Sequence, residues 1–79
     1  MKISYDTEAD ALYIGICEGK FARNREAMPG VILDIGTQDE LLGIEILDAS
    51  RRCPLKELAH VDILMPLQIA EWPLPAAPS

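Results

Sequence analysis

The sequence predicts a mostly β domain of the α+β class: an antiparallel meander of five strands with one short C-terminal helix covering one face. Three observations support this prediction. Apolar and polar residues alternate with period two in four segments, as they do on half-buried strands. Turn-forming residues separate these segments. A short amphipathic helical pattern follows the last of them.

The length and composition are those of one domain. The chain has 79 residues, of which 49% are apolar and 25% are charged, as in ordinary globular proteins. A chain of this length buries only about 60–65% of the surface that its unfolded form exposes, so a second core does not fit. Because prolines recur from residue 66 onwards, we expect a domain over residues 1–66 and an extended proline-rich tail over residues 67–79.

Four segments alternate clearly: KISYD, ALYIGIC, VILDI and LLGIEIL, with the more polar FARNREAM as the fifth candidate strand. Two local hairpins bring the apolar residues to one face. In the first, Tyr5 lies opposite Leu12, and in the second, Ile35 lies opposite Leu42. A slip of one residue would send either apolar set to the other face, so these registers are specific predictions.

Turn residues and one helical pattern complete the predicted fold. Glu18 and Gly19 suit a two-residue turn between ALYIGIC and FARNREAM, since glycine tolerates the positive φ that such turns require. The segment PLKELAH begins with a proline suited to the first helical position and places Leu55 and Leu58 on one side. VDILM, residues 61–65, fits either a sixth strand or an extension of the helix.

Charge and cysteine content limit the classes of partner. Thirteen acidic residues against seven basic ones give a formal charge of −6, so we expect no nucleic-acid binding unaided and a better match to a basic protein. Cys17 and Cys53 form no CxxC motif, which indicates reduced thiols in a cytoplasmic protein. No stretch approaches the ~18 apolar residues of a membrane span, so no membrane association is expected.

The first turn carries three alternating carboxylates, Asp6, Glu8 and Asp10, which are the candidate metal ligands of this chain. Counted as a calcium loop from Asp6, the sequence has Ala11 where glycine is required and Cys17 where a bidentate glutamate is required. Short carboxylates at a turn more commonly accept backbone N–H bonds. We therefore favour a turn capped by Asp6, and keep open the alternative of a small metal-binding or hydrolytic protein that uses these carboxylates.

Other chemically active side chains lack partners at a useful spacing. In the predicted register, Asp34 and Glu45 are diagonal neighbours on the sheet, with Cβ atoms about 7–8 Å apart. His60 has no second ligand at metal-binding spacing and is expected near the end of the helix. Cys17 adjoins Glu18, which disfavours a thiolate. We predict no catalytic residue and no cofactor.

The sheet face that points away from the predicted helix, here called the outer face, carries more apolar residues than a solvated face normally does. The face toward the helix is called the inner face. Interface candidates are the four outer-face residues Tyr13, Ile32, Leu41 and Leu47, together with Trp72 of the tail. We expect this face to be covered by a second copy in a homodimer or by a basic protein partner.

Three segments in order, MKISYDTEADALYI, PGVILDI and LLGIEILDAS, resemble the bacterial and archaeal family called domain of unknown function 2283 (DUF 2283). The resemblance spans residues 1 to about 50. It implies a small β-rich fold without an established activity, cofactor or catalytic residue. Because members tend to be encoded beside small predicted toxins, it also implies an antitoxin-like role for some of them.

Two positions depart from the family pattern: Thr7 stands where proline is common, and Asp39 stands where a turn usually has glycine. Aspartate adopts the left-handed conformation at some cost, so this hairpin is expected to form. The leading hypothesis for function is a non-enzymatic protein–protein interaction module.

Overall fold

The structure is one antiparallel sheet of five strands followed by two short helices, and it confirms the predicted fold class. It is a computed structural model that describes residues 1–65. The strands are β1 (Lys2–Asp6), β2 (Ala11–Gly15), β3 (Phe21–Met28), β4 (Val31–Gly36) and β5 (Leu41–Leu47), and the helices are α1 (Ala49–Arg52) and α2 (Leu55–Leu58). Within these residues, no helix is long and apolar enough to cross a bilayer.

The strand order is β1-β2-β5-β4-β3, so the predicted meander is wrong in one respect: β2 pairs with β5 and not with β3. The composition of the strands explains this order. LLGIEIL is apolar enough to be flanked on both sides, and β5 takes the centre of the sheet. FARNREAM is exposed at all eight positions, and β3 takes an edge, where polar side chains remain in water.

The connection from β2 to β3 crosses the end of the sheet, so the predicted two-residue turn at Glu18 and Gly19 does not form a hairpin. The crossing segment pairs with the β4–β5 end of the sheet. The backbone N–H of Ile16 donates to Leu42 O over 2.8 Å, and that of Thr37 donates to Lys20 O over 2.8 Å. These bonds bring β3 alongside β4 at the far edge.

The apolar residues meet on the inner face as the local hairpins predicted. Tyr5 lies opposite Leu12, and Leu33 lies opposite Ile44. The β2–β5 pairing continues the same face by setting Leu12 opposite Ile46 and Ile14 opposite Ile44. Leu12, Ile35, Leu42 and Ala49 are the buried hydrophobic residues of the described part.

One register prediction is wrong because of a bulge in β5. Ile35 lies opposite Leu41 instead of Leu42, and the register shifts between Asp34 and Ile35. A bulge places two residues of one strand against one of its partner, so alternation stops at this point. At the adjoining turn, Asp39 adopts φ 64°, which confirms the left-handed conformation expected there.

The helices differ from the prediction in number. α2 lies within the predicted PLKELAH segment and borders β1 and β2, where Leu55 and Leu58 line a cleft of about 240 Å³ together with Leu12. α1 was not predicted. Its Arg52 donates from Nε to Leu47 O over 2.9 Å and also bonds Pro29 O, which ties the β3–β4 turn to the end of β5.

Both alternatives for VDILM, a sixth strand and an extension of the helix, are wrong, since residues 61–65 form neither strand nor helix. Three consecutive apolar residues, Ile63, Leu64 and Met65, cannot all face one side of a strand. Their exposed fractions are 65%, 96% and 55%. The whole of the predicted tail, residues 67–79 with Trp72, lies outside the described residues.

Candidate functional site

The three carboxylates of the first turn, Asp6, Glu8 and Asp10, differ in their contacts. Asp6 Oδ1 accepts the backbone N–H groups of Glu8 (2.9 Å) and Ala9 (3.1 Å), so the predicted capped turn is confirmed. Glu8 itself is exposed. Within residues 1–65, no group of three or more His, Cys, Asp and Glu side chains is arranged to hold a metal ion.

Asp10 is a structural acceptor that joins the first hairpin to α1. Tyr5 Oη donates to Asp10 Oδ1 over 2.7 Å, and Ser50 donates from its backbone N–H (3.0 Å) and from Oγ (2.6 Å). The Asp10 carbonyl accepts the N–H of Ala49 at 3.0 Å. Asp10 therefore supplies the acceptors for the start of α1, because Asp48 makes no side-chain cap bond there.

The titration behaviour of this cluster follows from the same bonds. The Ser50 side chain, and then Tyr5, hold the pKa of the Asp10 carboxyl below its usual value. The hydrogen bond to Asp10 raises the pKa of the Tyr5 hydroxyl. Both shifts favour the ionised carboxylate beside a neutral phenol, which is the arrangement of a stable hydrogen bond. Sequence reasoning missed Ser50 because it lies 40 residues from Asp10.

On the outer face, Tyr13 reaches across β5 to β4. It lies directly opposite Glu45, and its hydroxyl donates to Asp34 Oδ2 over 3.2 Å. The ring passes over Gly43, where an added Cβ would overlap Tyr13 Oη and lie 2.5 Å from Cζ. Glycine at position 43 thus makes room for a phenol ring that links three strands.

The strand register confirms that Asp34 and Glu45 are diagonal neighbours on the sheet. Asp34 lies opposite Gly43, and Glu45 lies opposite Ile32. What the sequence did not indicate is that Tyr13 fills the space beside both carboxylates. Partial burial, followed by the hydrogen bond to Asp34, raises the pKa of the Tyr13 hydroxyl. In this arrangement the neutral Tyr13 phenol donates a hydrogen bond, and Asp34 is a charged acceptor. The contacts of Tyr13 and Asp34 do not set up a pair of groups with separated pKa values for acid–base catalysis.

Most predicted interface residues have their expected placement. Tyr13, Ile32 and Leu47 are half-buried, and the register sets them on one face with Glu45 and Ala11. Leu41 lies at the bulge, so simple alternation no longer places it on that face, and it is 37% exposed. Trp72 falls outside the described residues. The described outer face therefore combines apolar side chains with acidic ones.

A groove of about 660 Å³ adjoins Tyr13 along β1 and β2. Its lining includes Lys2, Ser4, Tyr13, Gly15 and Cys17. The exposed thiol of Cys17 donates to the carbonyl of Leu41 at 3.2 Å.

His60 lies outside this face. It follows α2, and its Nε2 is 3.4 Å from Asp62 Oδ2 on an exposed segment.

Comparisons with known proteins identify the family without assigning an activity. The chain is 43% identical over 51 residues to a Methanosarcina mazei protein named "Putative hypoxanthine phosphoribosyltransferase". That match covers 65% of this chain but only 41% of the relative. No solved structure matches significantly. The family described as "Protein of unknown function (DUF2283)" matches residues 2–50, which contain all five strands. This match covers more than half of the chain, which therefore belongs to the DUF2283 family.

Proposed function

We propose that this protein is a non-enzymatic protein–protein interaction module whose partner binds the outer face of the sheet. The observation that carries the proposal is the mixture of half-buried apolar residues, Tyr13, Ile32 and Leu47, with the carboxylates of Asp34 and Glu45 on that face. Domains normally bury an apolar sheet face beneath a second layer. Of the described elements, α2 borders Leu12 on the inner face, and α1 adjoins the turns at the end of the sheet.

The charge of the chain favours a basic partner. Asp34 and Glu45 contribute to a formal charge of −6, and a complementary surface would combine apolar residues with lysine or arginine. Such charges mainly accelerate association and exclude like-charged partners. An antitoxin-like role, in which the acidic module covers a small basic toxin, is the specific form of this function that the charge supports.

Co-expression with the product of the adjacent gene, followed by size exclusion and titration calorimetry, tests the proposal. Glu45→Lys is expected to weaken binding of a basic partner at least tenfold, since the new lysine places a positive charge at the centre of the interface, against the positive charges of the partner. Glu57→Lys is the matched control, because Glu57 is an exposed acid on α2. Equal loss in both variants would point to long-range charge alone and contradict binding by the outer face.

Two activities are not proposed for this chain. The transferase name belongs to a relative of which the chain covers 41%. A metal-dependent or hydrolytic role for the first turn finds no support in its geometry, since Asp6 and Asp10 accept hydrogen bonds from their own chain. Titration with calcium, magnesium, manganese and zinc is expected to leave the melting temperature unchanged.

A further inference from the structure

β1 is an edge strand with a distinctive pattern of side chains. Within residues 1–65 it pairs with β2 on one side only, and Lys2–Asp6 is the first strand of the sheet order. Its residues alternate between the two faces. Lys2, Ser4 and Asp6 share the outer face with their β2 partners, while Ile3 and Tyr5 share the inner face with Ile14 and Leu12. An open strand edge presents unpaired N–H and C=O groups to a further strand.

The β1 pattern is complementary to itself. An antiparallel pairing of two copies about a two-fold axis at Ser4 sets Lys2 opposite Asp6 of the other copy, twice. The same axis sets Ile3 opposite Tyr5, also twice, on the inner face. Every directly opposed pair is thus oppositely charged, apolar, or a pair of small hydroxyl side chains.

The acidic partner in this pairing has a free oxygen. Asp6 uses Oδ1 for both backbone bonds of its turn, whereas Oδ2 accepts no hydrogen bond within residues 1–65. Lys2 makes no ion pair within the same residues. A lysine on an edge strand normally discourages strand addition. Opposite Asp6 of a second copy, that lysine instead favours one register.

β3, at the other edge of the sheet, does not have this property. A two-fold axis at Asn24 would set Arg23 against Arg25, and an axis at Arg25 would set that residue against itself. Two bulges also interrupt β3, between Phe21 and Arg23 and between Glu26 and Met28. Bulges and like charges are common protections of a sheet edge.

We propose that β1 is a self-association edge, through which two copies pair antiparallel about Ser4 and join their five-stranded sheets into one of ten strands. About four to six main-chain hydrogen bonds would form across the new boundary. Because one strand pair is smaller than a standard interface, the dissociation constant is expected in the range of about 10–100 μM. The β1 pairing does not use the outer-face residues Tyr13, Ile32 and Leu47, so the inference does not depend on the proposed function.

A cross-link at the two-fold axis gives the most direct test. In a chain carrying Cys17→Ser and Cys53→Ser, the variant Ser4→Cys is expected to form a disulfide dimer under mild oxidation. Residues paired directly across antiparallel strands have Cβ atoms about 4.5–5.5 Å apart, close to disulfide distance. Asn24→Cys, on the exposed edge strand β3, is the matched control. Equal rates of cross-linking for the two variants would overturn the proposal.

A charge cycle measured by sedimentation at up to about 1 mM protein provides the second test. Lys2→Glu is expected to raise the dimer dissociation constant at least tenfold, because a glutamate then faces Asp6. Asp6→Asn, which keeps the oxygen that caps the turn, is expected to weaken the wild-type dimer but strengthen the Lys2→Glu dimer. Within one chain these residues are about 13 Å apart along the strand, so this reversal can arise only between copies.

Several results would refute self-association through β1. A chain that stays monomeric at 1 mM would do so, and so would a dimer in which Asp6→Asn acts equally in both backgrounds. Partner binding is measured separately with the Glu45→Lys variant. Loss of one interaction with retention of the other therefore identifies which proposal has failed.

Discussion

Gly43→Ala is expected to destabilise the protein, although alanine normally stabilises a strand relative to glycine. The new methyl group would occupy the space of the Tyr13 ring, which must then leave Asp34. The partly exposed hydrogen bond is worth about 0.5–1 kcal/mol, and the lost contact of roughly 40–60 Å² of ring surface about 1–1.5 kcal/mol. Alanine in place of glycine also stabilises the fold by about 0.5–1 kcal/mol, because it restricts the conformations of the unfolded chain. The net loss is about 0.5–2 kcal/mol.

Removing the ring should reverse the sign of this effect. In a Tyr13→Ala background, Gly43→Ala meets mainly the Ile14 carbonyl, at 3.0 Å, which a small shift relieves. It is then expected to stabilise by about 0.5–1 kcal/mol, giving a coupling of about 2 kcal/mol between the two positions. Gly15→Ala is the control in the neighbouring strand, because its new Cβ would make only ordinary contacts, at 3.5 and 3.6 Å.

Urea denaturation followed by far-ultraviolet circular dichroism measures these free energies. A domain of this length is stable by roughly 4–12 kcal/mol, so each difference is measurable. If Gly43→Ala destabilises the protein equally with and without the Tyr13 ring, the ring does not occupy that space and the account of the outer face is wrong.

Three further outcomes follow from contacts described above. Ser50→Ala should reduce the stability that the protein loses between about pH 5 and pH 2, because Ser50 lowers the Asp10 pKa and the lowered value stabilises the fold only while that carboxylate is ionised. With the other tyrosine changed to phenylalanine, Tyr13 should titrate above pH 10.0 by absorbance, and Asp34→Asn should lower that midpoint part of the way. Gly30→Ala should cost about 1–2 kcal/mol by thermal denaturation, because residue 30 has φ 81°.

Each of these outcomes has a clear opposite. If stability falls with pH equally steeply in Ser50→Ala and in the wild type, Ser50 does not hydrogen-bond the Asp10 carboxylate in solution. An unchanged tyrosine midpoint in Asp34→Asn would remove the hydrogen bond from the account of that pKa. A neutral Gly30→Ala would show that the β3–β4 turn adopts another conformation.

Except at the β5 bulge beside Ile35, local patterns predicted the pairs within the β1–β2 and β4–β5 hairpins, and they did so for a physical reason. The register that sets Tyr5 opposite Leu12, or Leu33 opposite Ile44, depends on a short loop and on alternation that the sequence displays directly. The capped turn at Asp6 is equally local, because donor and acceptor lie two or three residues apart. These features can be predicted before any tertiary contact is known.

Features that depend on distant contacts could not be predicted in the same way. The position of β5 beside β2 depends on which of the five strands best fills the centre of the sheet. The register of a single hairpin contains no information about that choice. The bond from Ser50 to Asp10 follows from this pairing, since β5 brings the start of α1 to the first turn. The placement of Tyr13 over Gly43 depends on it too, because the two residues lie on strands β2 and β5.

The β2–β5 boundary also has a consequence for folding. It joins two units that can each form locally, the β1–β2 hairpin and the β3–β4–β5 meander. Contacts between residues far apart in the chain carry the larger loop-closure entropy, so this boundary is expected to close after both units have formed. The Asp10–Ser50 bonds lie at one end of it and the Ile16–Leu42 bond at the other. Amide hydrogen exchange along this boundary would therefore report the docking of two preformed halves.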